Sequence, residues 1–265
     1  DAALGDALFA EEDPPGFDAV IETATLECIS AERLIEIGGD DLAGEAMTET
    51  SSDATATSAD DPSGETWAPK TIEELVDPTV IVNDGFGWEL PAGWFEQVWF
   101  KPAESGELWW EDGGSMHFTG GDSNSRAGVR LDLNLDVSDV SHAVVAIHGI
   151  VNDQTLAGTG FDGREAPLAM AVAYVDEAGT SHVGLSEDPT SPTNVFYRGF
   201  SILEPDDRTS MTNGLMVTAG EPFIHQFDLM SLDPPPVEIL FLIAEGGGWP
   251  TRDAVLAEMA LVLGD

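Results

Sequence analysis

Basic residues are scarce in this chain: 9 Lys+Arg stand against 50 Asp+Glu, and Lys70 and Lys101 are its two lysines. A formal charge of −41 excludes ordinary nucleic-acid binding, which needs clustered Lys and Arg to displace counterions from phosphates. Cysteine is nearly missing as well. Cys28 is the single one, so no internal disulfide can form and the fold is not a disulfide scaffold. The longest apolar run, Ile239 to Ala244, falls far short of the roughly 18 residues a membrane helix requires, and no membrane insertion is expected. Motifs of catalysis are lacking too. The histidines at 117, 142, 148, 182 and 225 include no His-x-x-x-His and have no Cys pair beside them, which removes zinc spacing. No Gly-x-Ser-x-Gly elbow occurs, and with 50 acids no carboxylate pair singles itself out as a glycosidase centre. The expectation is a protein that is not an enzyme.

What the chain does have is apolar mass: 42% hydrophobic residues, with seven Trp and twelve Phe, enough for a packed core. A surface carrying one sign of charge repels itself unless salt screens it or cations bind it, which points to a saline or cation-rich medium outside the cell. The chain opens at Asp1 with no basic and apolar leader, as a secreted mature form with its signal peptide removed would.

Three regions follow from composition. Residues 1–39 read as an arm, apolar from Ala2 to Ala10 and broken by Glu11-Glu12-Asp13-Pro14-Pro15-Gly16, followed by a two-stranded β element rich in β-branched residues from Phe17 to Ile37. Residues 40–66 hold eight acids, no base, and only Leu42 and Met47 as sizeable apolar groups, the composition of a linker. Residues 67–265 turn to short β-type runs punctuated by Gly, Pro, Asn and Asp. Their candidates are 95–100, 107–110, 115–119, 128–135, 143–151, 168–175, 181–185, 195–203, 223–229, 237–243 and 254–262. Val129, Leu131, Leu133 and Leu135 alternate strictly with Arg130, Asp132 and Asn134, the pattern of a strand with one wet face. Strands at hairpin spacing predict an all-β antiparallel sandwich, with the last segment open between strand and helix because Ala, Leu, Glu and Met suit either.

The stretch Leu131-Asp-Leu-Asn-Leu-Asp-Val-Ser-Asp-Val-Ser-His142, the loop Gln154 to Leu168, Val172-Ala-Tyr-Val-Asp-Glu-Ala-Gly179 and Tyr197-Arg-Gly-Phe200 together resemble the galactose-binding-like jelly rolls that include many carbohydrate-binding modules. The likeness spans about residues 86–263. The segment is also similar to extracytoplasmic parts of some bacterial sigma regulators. The first resemblance implies a jelly-roll sandwich, a sugar ligand and often a structural Ca²⁺. Fold alone does not carry function, since jelly rolls host lectins, capsid proteins and enzymes alike.

Candidate residues follow. Trp110 and Trp249 could stack on sugar rings, and Arg164, in the Gly-rich loop Asp162-Gly163-Arg164-Glu165, could grip a hydroxyl or carboxylate or else pin the loop through an ion pair. Asp122 and Asn124, in a small polar loop, are the candidate Ca²⁺ ligands. Leu4, Leu8 and Phe9 are the candidate subunit contacts of the arm. Two functions fit. In the first, the chain is a structural subunit of an extracellular filament, sheath or surface layer, its arm adding a strand to the next copy to give a homopolymer. In the second, it is an extracellular carbohydrate-binding module with a polysaccharide partner.

Overall fold

The computed structural model describes residues 69–265 apart from 88, 98–106, 111–115, 121–124, 162, 185–190 and 249–250. Thirteen strands occur among the described residues: β1 Thr79–Gly85, β2 Trp94–Glu96, β3 Glu107–Trp110, β4 Met116–Gly120, β5 Ser125–Asp136, β6 His142–Gln154, β7 Leu168–Asp176, β8 Ser181–His182, β9 Phe196–Ser201, β10 Gly214–Met216, β11 Pro222–Asp228, β12 Pro236–Gly248 and β13 Arg252–Gly264. They form two sheets. One runs β11-β6-β13-β4-β3, with β1 joining β13 beyond the end of β4; the other runs β10-β9-β7-β12-β5-β2, with β8 added to the far end of β7.

The alternation read in β5 is what makes it a sandwich strand. Its apolar members enter the space between the sheets while Asp132, Asn134 and Asp136 are exposed. Met116, Phe118, Val129, Ile147, Leu168, Met170, Phe200, Leu242 and Leu256 fill that space and are fully buried. Burying one such side chain is worth about 1.5–3 kcal/mol, so the seam between the sheets dominates stability. Trp94 belongs to it as well. Its ring packs edge-on against Phe86 at 4.9 Å and its indole N–H donates to Asp84 Oδ2 at 2.7 Å. The Asp-Val-Ser turn closes as an Asx turn, in which Ser138 donates its backbone N–H and hydroxyl to Asp136 Oδ1 at 3.0 and 2.7 Å, and β6 follows.

One point that the sequence reading left open is settled, and two features depart from it. The final segment is β13, hydrogen-bonded to β6 on one side and to β4 and β1 on the other, so a central place in the sheet overrides its helical composition. Strands β1 and β10 were not among the candidate runs; the first is Thr-Val-Ile-Val followed by Asn-Asp-Gly, and the second spans three residues. The sandwich is antiparallel except that β10 lies parallel to β9 and Gly184 makes a parallel bridge to Asn194.

Candidate functional site

Of the residues singled out by sequence, Trp249, Asp122, Asn124, Leu4, Leu8 and Phe9 lie outside the described residues. Trp110 ends β3, its backbone in register with Met116 of β4. Arg164, the candidate for gripping a ligand or pinning its loop, is buried, and its backbone carbonyl accepts a hydrogen bond from Arg126 Nη2 at 2.8 Å. Among the described residues no group of three or more His, Cys, Asp or Glu could hold a metal ion. His142 and His148 do share β6, six positions apart, but the ring of His142 meets Asp228 Oδ2 at 2.6 Å. His182 and His117 are likewise paired, with Asp176 at 2.9 Å and Asp253 at 2.8 Å. The His182 ring and the Thr180 amide hold the Asp176 carboxyl below the usual carboxylate range.

Two clusters gather the scarce cations. The first closes one end of the sandwich. Arg126 Nη1 donates to Glu245 Oε1 at 2.8 Å, Arg252 Nη1 donates to the Gly248 carbonyl at 3.0 Å, and the Phe161 amide donates to Glu165 Oε2 at 3.0 Å. Arg126, Arg164, Arg252, Glu165 and Glu245 are all buried. Burial pushes the Glu245 carboxyl up, and Arg126 and Arg252 oppose that rise. The run Gly246-Gly247-Gly248 makes room for them: a Cβ on Gly247 would lie 2.6 Å from the Arg126 guanidinium, and one on Gly246 would lie 2.5 Å from the Pro167 carbonyl oxygen. The cluster ties β5, β12, β13 and the loop before β7 together.

The second lies along one lateral side, where the edge strand β11 faces β9, next to the edge strand β10, across the seam. Phe196, Arg198 and Phe200 alternate on β9; Phe223, His225 and Phe227 alternate on β11. The rings interleave: Phe200 meets Phe223 at 4.6 Å and His225 at 5.5 Å, and Phe196 stacks on Phe227 at 4.3 Å. Between those rungs sits Arg198, its guanidinium carbon 5.8 Å from the Phe196 ring and 5.6 Å from the Phe227 ring. Burial together with the Arg198 charge lowers the His225 imidazole to about 4, so it is neutral at pH 7. Beside these rungs opens a pocket of about 310 Å³, lined by Phe200, Phe223, His225, Thr218 and Glu221 with Leu215 to Val217 of the β10 end.

Sequence reading missed this pocket, although the signal was present. Phe-Tyr-Arg-Gly-Phe and Phe-Ile-His-Gln-Phe each place a polar group at the centre of an apolar face, where a period-two pattern calls for a hydrophobe. What the pattern does not give is that the two strands oppose each other.

No family model matches the chain, and no curated protein matches it. Solved structures similar to it include the xylan-binding module CBM15, at 13% identity and TM-score 0.35, covering 70% of this chain and 96% of that one. They also include the CBM22-1 xylan-binding domain of Paenibacillus barcinonensis Xyn10C, at 11% identity and TM-score 0.38, covering 71% and 96%. A third is the Emp47p carbohydrate recognition domain, at 10% identity and TM-score 0.40, covering 74% and 100%.

Proposed function

We propose that this chain is a non-catalytic carbohydrate-binding domain working outside the cell, and that a sugar ring sits in the pocket between the ends of β10 and β11. The observation that carries the reading is the lining itself. Two phenylalanine rings offer apolar surface to the C–H face of a pyranose, while Thr218, His225 and Glu221 offer hydroxyl, imidazole and carboxylate groups to its hydroxyls. Its volume of about 310 Å³ stands at the small end of ligand sites, which run from about 300 to 1,000 Å³, so it suits one or two sugar residues. The strongly acidic surface fits a protein that works in saline surroundings, where self-repulsion is screened.

Affinity electrophoresis through gels containing neutral and acidic polysaccharides tests this. Retardation by at least one glycan, lost in Phe223→Ala and reduced in Thr218→Val with thermal melting preserved in the second, is the expected result. Unchanged mobility of the wild-type chain across the whole panel would overturn the reading. The arm-joined assembly and the bound Ca²⁺ rest on Leu4, Leu8, Phe9, Asp122 and Asn124 and keep only their basis in sequence. Size exclusion with negative-stain imaging, with and without millimolar Ca²⁺, tests both.

A further inference from the structure

We infer that the pocket between β10 and β11 continues past His225 to Arg198 and selects a sugar bearing a carboxylate, a uronic acid, over its neutral counterpart. The inference rests on the carbohydrate reading and names the class of sugar. Its starting point is an imbalance. In a chain with 50 Asp+Glu, the Arg198 side chain has no carboxylate among the described residues, and its Nε is buried without a partner among them. Other arginines of the same chain are matched: Arg126 holds Glu245 and Arg130 holds Asp132. Arg198 is half-buried, with its Nε taken out of water and unmatched, and its guanidinium carries a fixed planar fork suited to a carboxylate.

The fork is also held in place. Contacts with the Phe196 and Phe227 rings fix the Arg198 side chain, so little rotamer freedom remains for a ligand to remove. Beside it, His225 Nε2 is a second buried nitrogen without a partner. A neutral imidazole protonated at Nε2 donates one hydrogen bond, and with the Arg198 fork it would meet both oxygens of one carboxylate. Phe200 and His225 line the pocket and also form the rung next to Arg198, so Arg198 stands one rung beyond the pocket wall, and the inferred extension runs past the His225 ring. Glu221 is the one carboxylate lining the pocket, and it stands exposed at the rim, away from the Arg198 rung.

The test compares each of three uronic-acid oligosaccharides (oligogalacturonate, oligoalginate and a glucuronoxylan fragment) with its carboxyl-reduced form by isothermal titration calorimetry. Working in 1 M NaCl, where the Debye length is about 3 Å, removes the general repulsion between an acidic protein and an acidic ligand. At least one acid form should bind at least tenfold more tightly than its reduced form. Arg198→Met should erase that difference while leaving the melting temperature unchanged, and Arg198→Lys should retain only part of it. Imidazole ¹⁵N resonances of the wild-type protein give a readout independent of any variant: the acid form should shift His225 and leave His142 and His182 in place. Equal binding of acid and reduced forms, or an acid preference that survives Arg198→Met, overturns the inference and leaves the carbohydrate reading standing. Binding of neither form, nor of any neutral glycan, overturns the carbohydrate reading itself. A sulfated oligosaccharide preferred to every uronate would replace carboxylate selection with sulfate selection and so overturn the inference as stated.

Discussion

The closed end of the sandwich and its open side hold the same kind of residue in opposite circumstances. At the closed end, Arg126 and Arg252 meet a carboxylate or backbone carbonyls, and glycines clear the space they need. At the open side, Arg198 meets only rings, and the neighbouring His225 has a buried nitrogen with nothing to bond. Both places take cationic side chains out of water, fully at the closed end and in part at half-buried Arg198. The first recovers most of that cost through the pair of Arg126 with Glu245 and the backbone carbonyls, although Glu245 Oε2 is buried without a partner among the described residues. Buried charge matched within the chain ties elements together, whereas a half-buried arginine one rung from a pocket is where the proposed ligand would be held, and this contrast gives the two clusters different proposed roles.

Four experiments would break or sharpen that contrast. The largest effect belongs to the closed end: Glu245→Ala should cost about 3–5 kcal/mol in urea unfolding, because it strands the Arg126 guanidinium in a buried place. A loss below about 1 kcal/mol would mean that the cluster is not a structural tie. Next is the pH dependence written into His225. Its folded value of about 4 lies below the ordinary 6.5, so between those values the unfolded chain binds more protons than the folded one. Its contribution is therefore complete above pH 6.5 and is lost as pH falls toward 4, by about 2–3 kcal/mol. Comparing wild-type and His225→Gln stability between pH 7 and 4 isolates it, and parallel curves would show that the imidazole is not held neutral.

Smaller still is Gly246→Ala. The new methyl would lie 2.5 Å from the Pro167 carbonyl oxygen and 2.9 Å from Phe118 Cβ, so thermal melting should report a loss of about 1–3 kcal/mol. An unchanged melting temperature would show that the closed end has slack. The smallest expected stability change is that of Arg198→Met, within about 1 kcal/mol in either direction by urea titration, since an apolar side chain of similar length replaces an unmatched charge. A loss as large as that of Glu245→Ala would erase the distinction between the two clusters.

How much of this was legible beforehand can be argued residue by residue. The alternation from Val129 to Leu135 located β5 and its wet face, because period two in polarity is sufficient to specify a half-buried strand. The Asp136-Val-Ser138 turn was equally legible, since an Asx turn is made of groups two residues apart. Arg252 to Gly264 was legible in part: 254–262 stood among the strand candidates, but its composition is neutral between helix and strand until β6, β4 and β1 supply partners on both sides. Arg164 was marked from its loop as a candidate for gripping a ligand or pinning the loop, and the structure places it buried. The donor its carbonyl accepts from, Arg126, lies 38 residues away and could not be named from the loop alone.

The sequence by itself determined what depends on neighbours along the chain: an all-β sandwich, its principal strands and turns, and a strongly acidic composition. Tertiary structure alone decided which distant residues meet. It set β9 across from β11, so that Phe-x-Arg-x-Phe and Phe-x-His-x-Phe interleave into a single seam with a pocket at its end. It also brought Glu245 within 2.8 Å of an arginine 119 residues earlier while leaving Arg198 without a carboxylate. The physical reason is that polarity patterns fix which face of a strand is buried, whereas the partner across the core is chosen by the global pairing of strands, which no local pattern encodes.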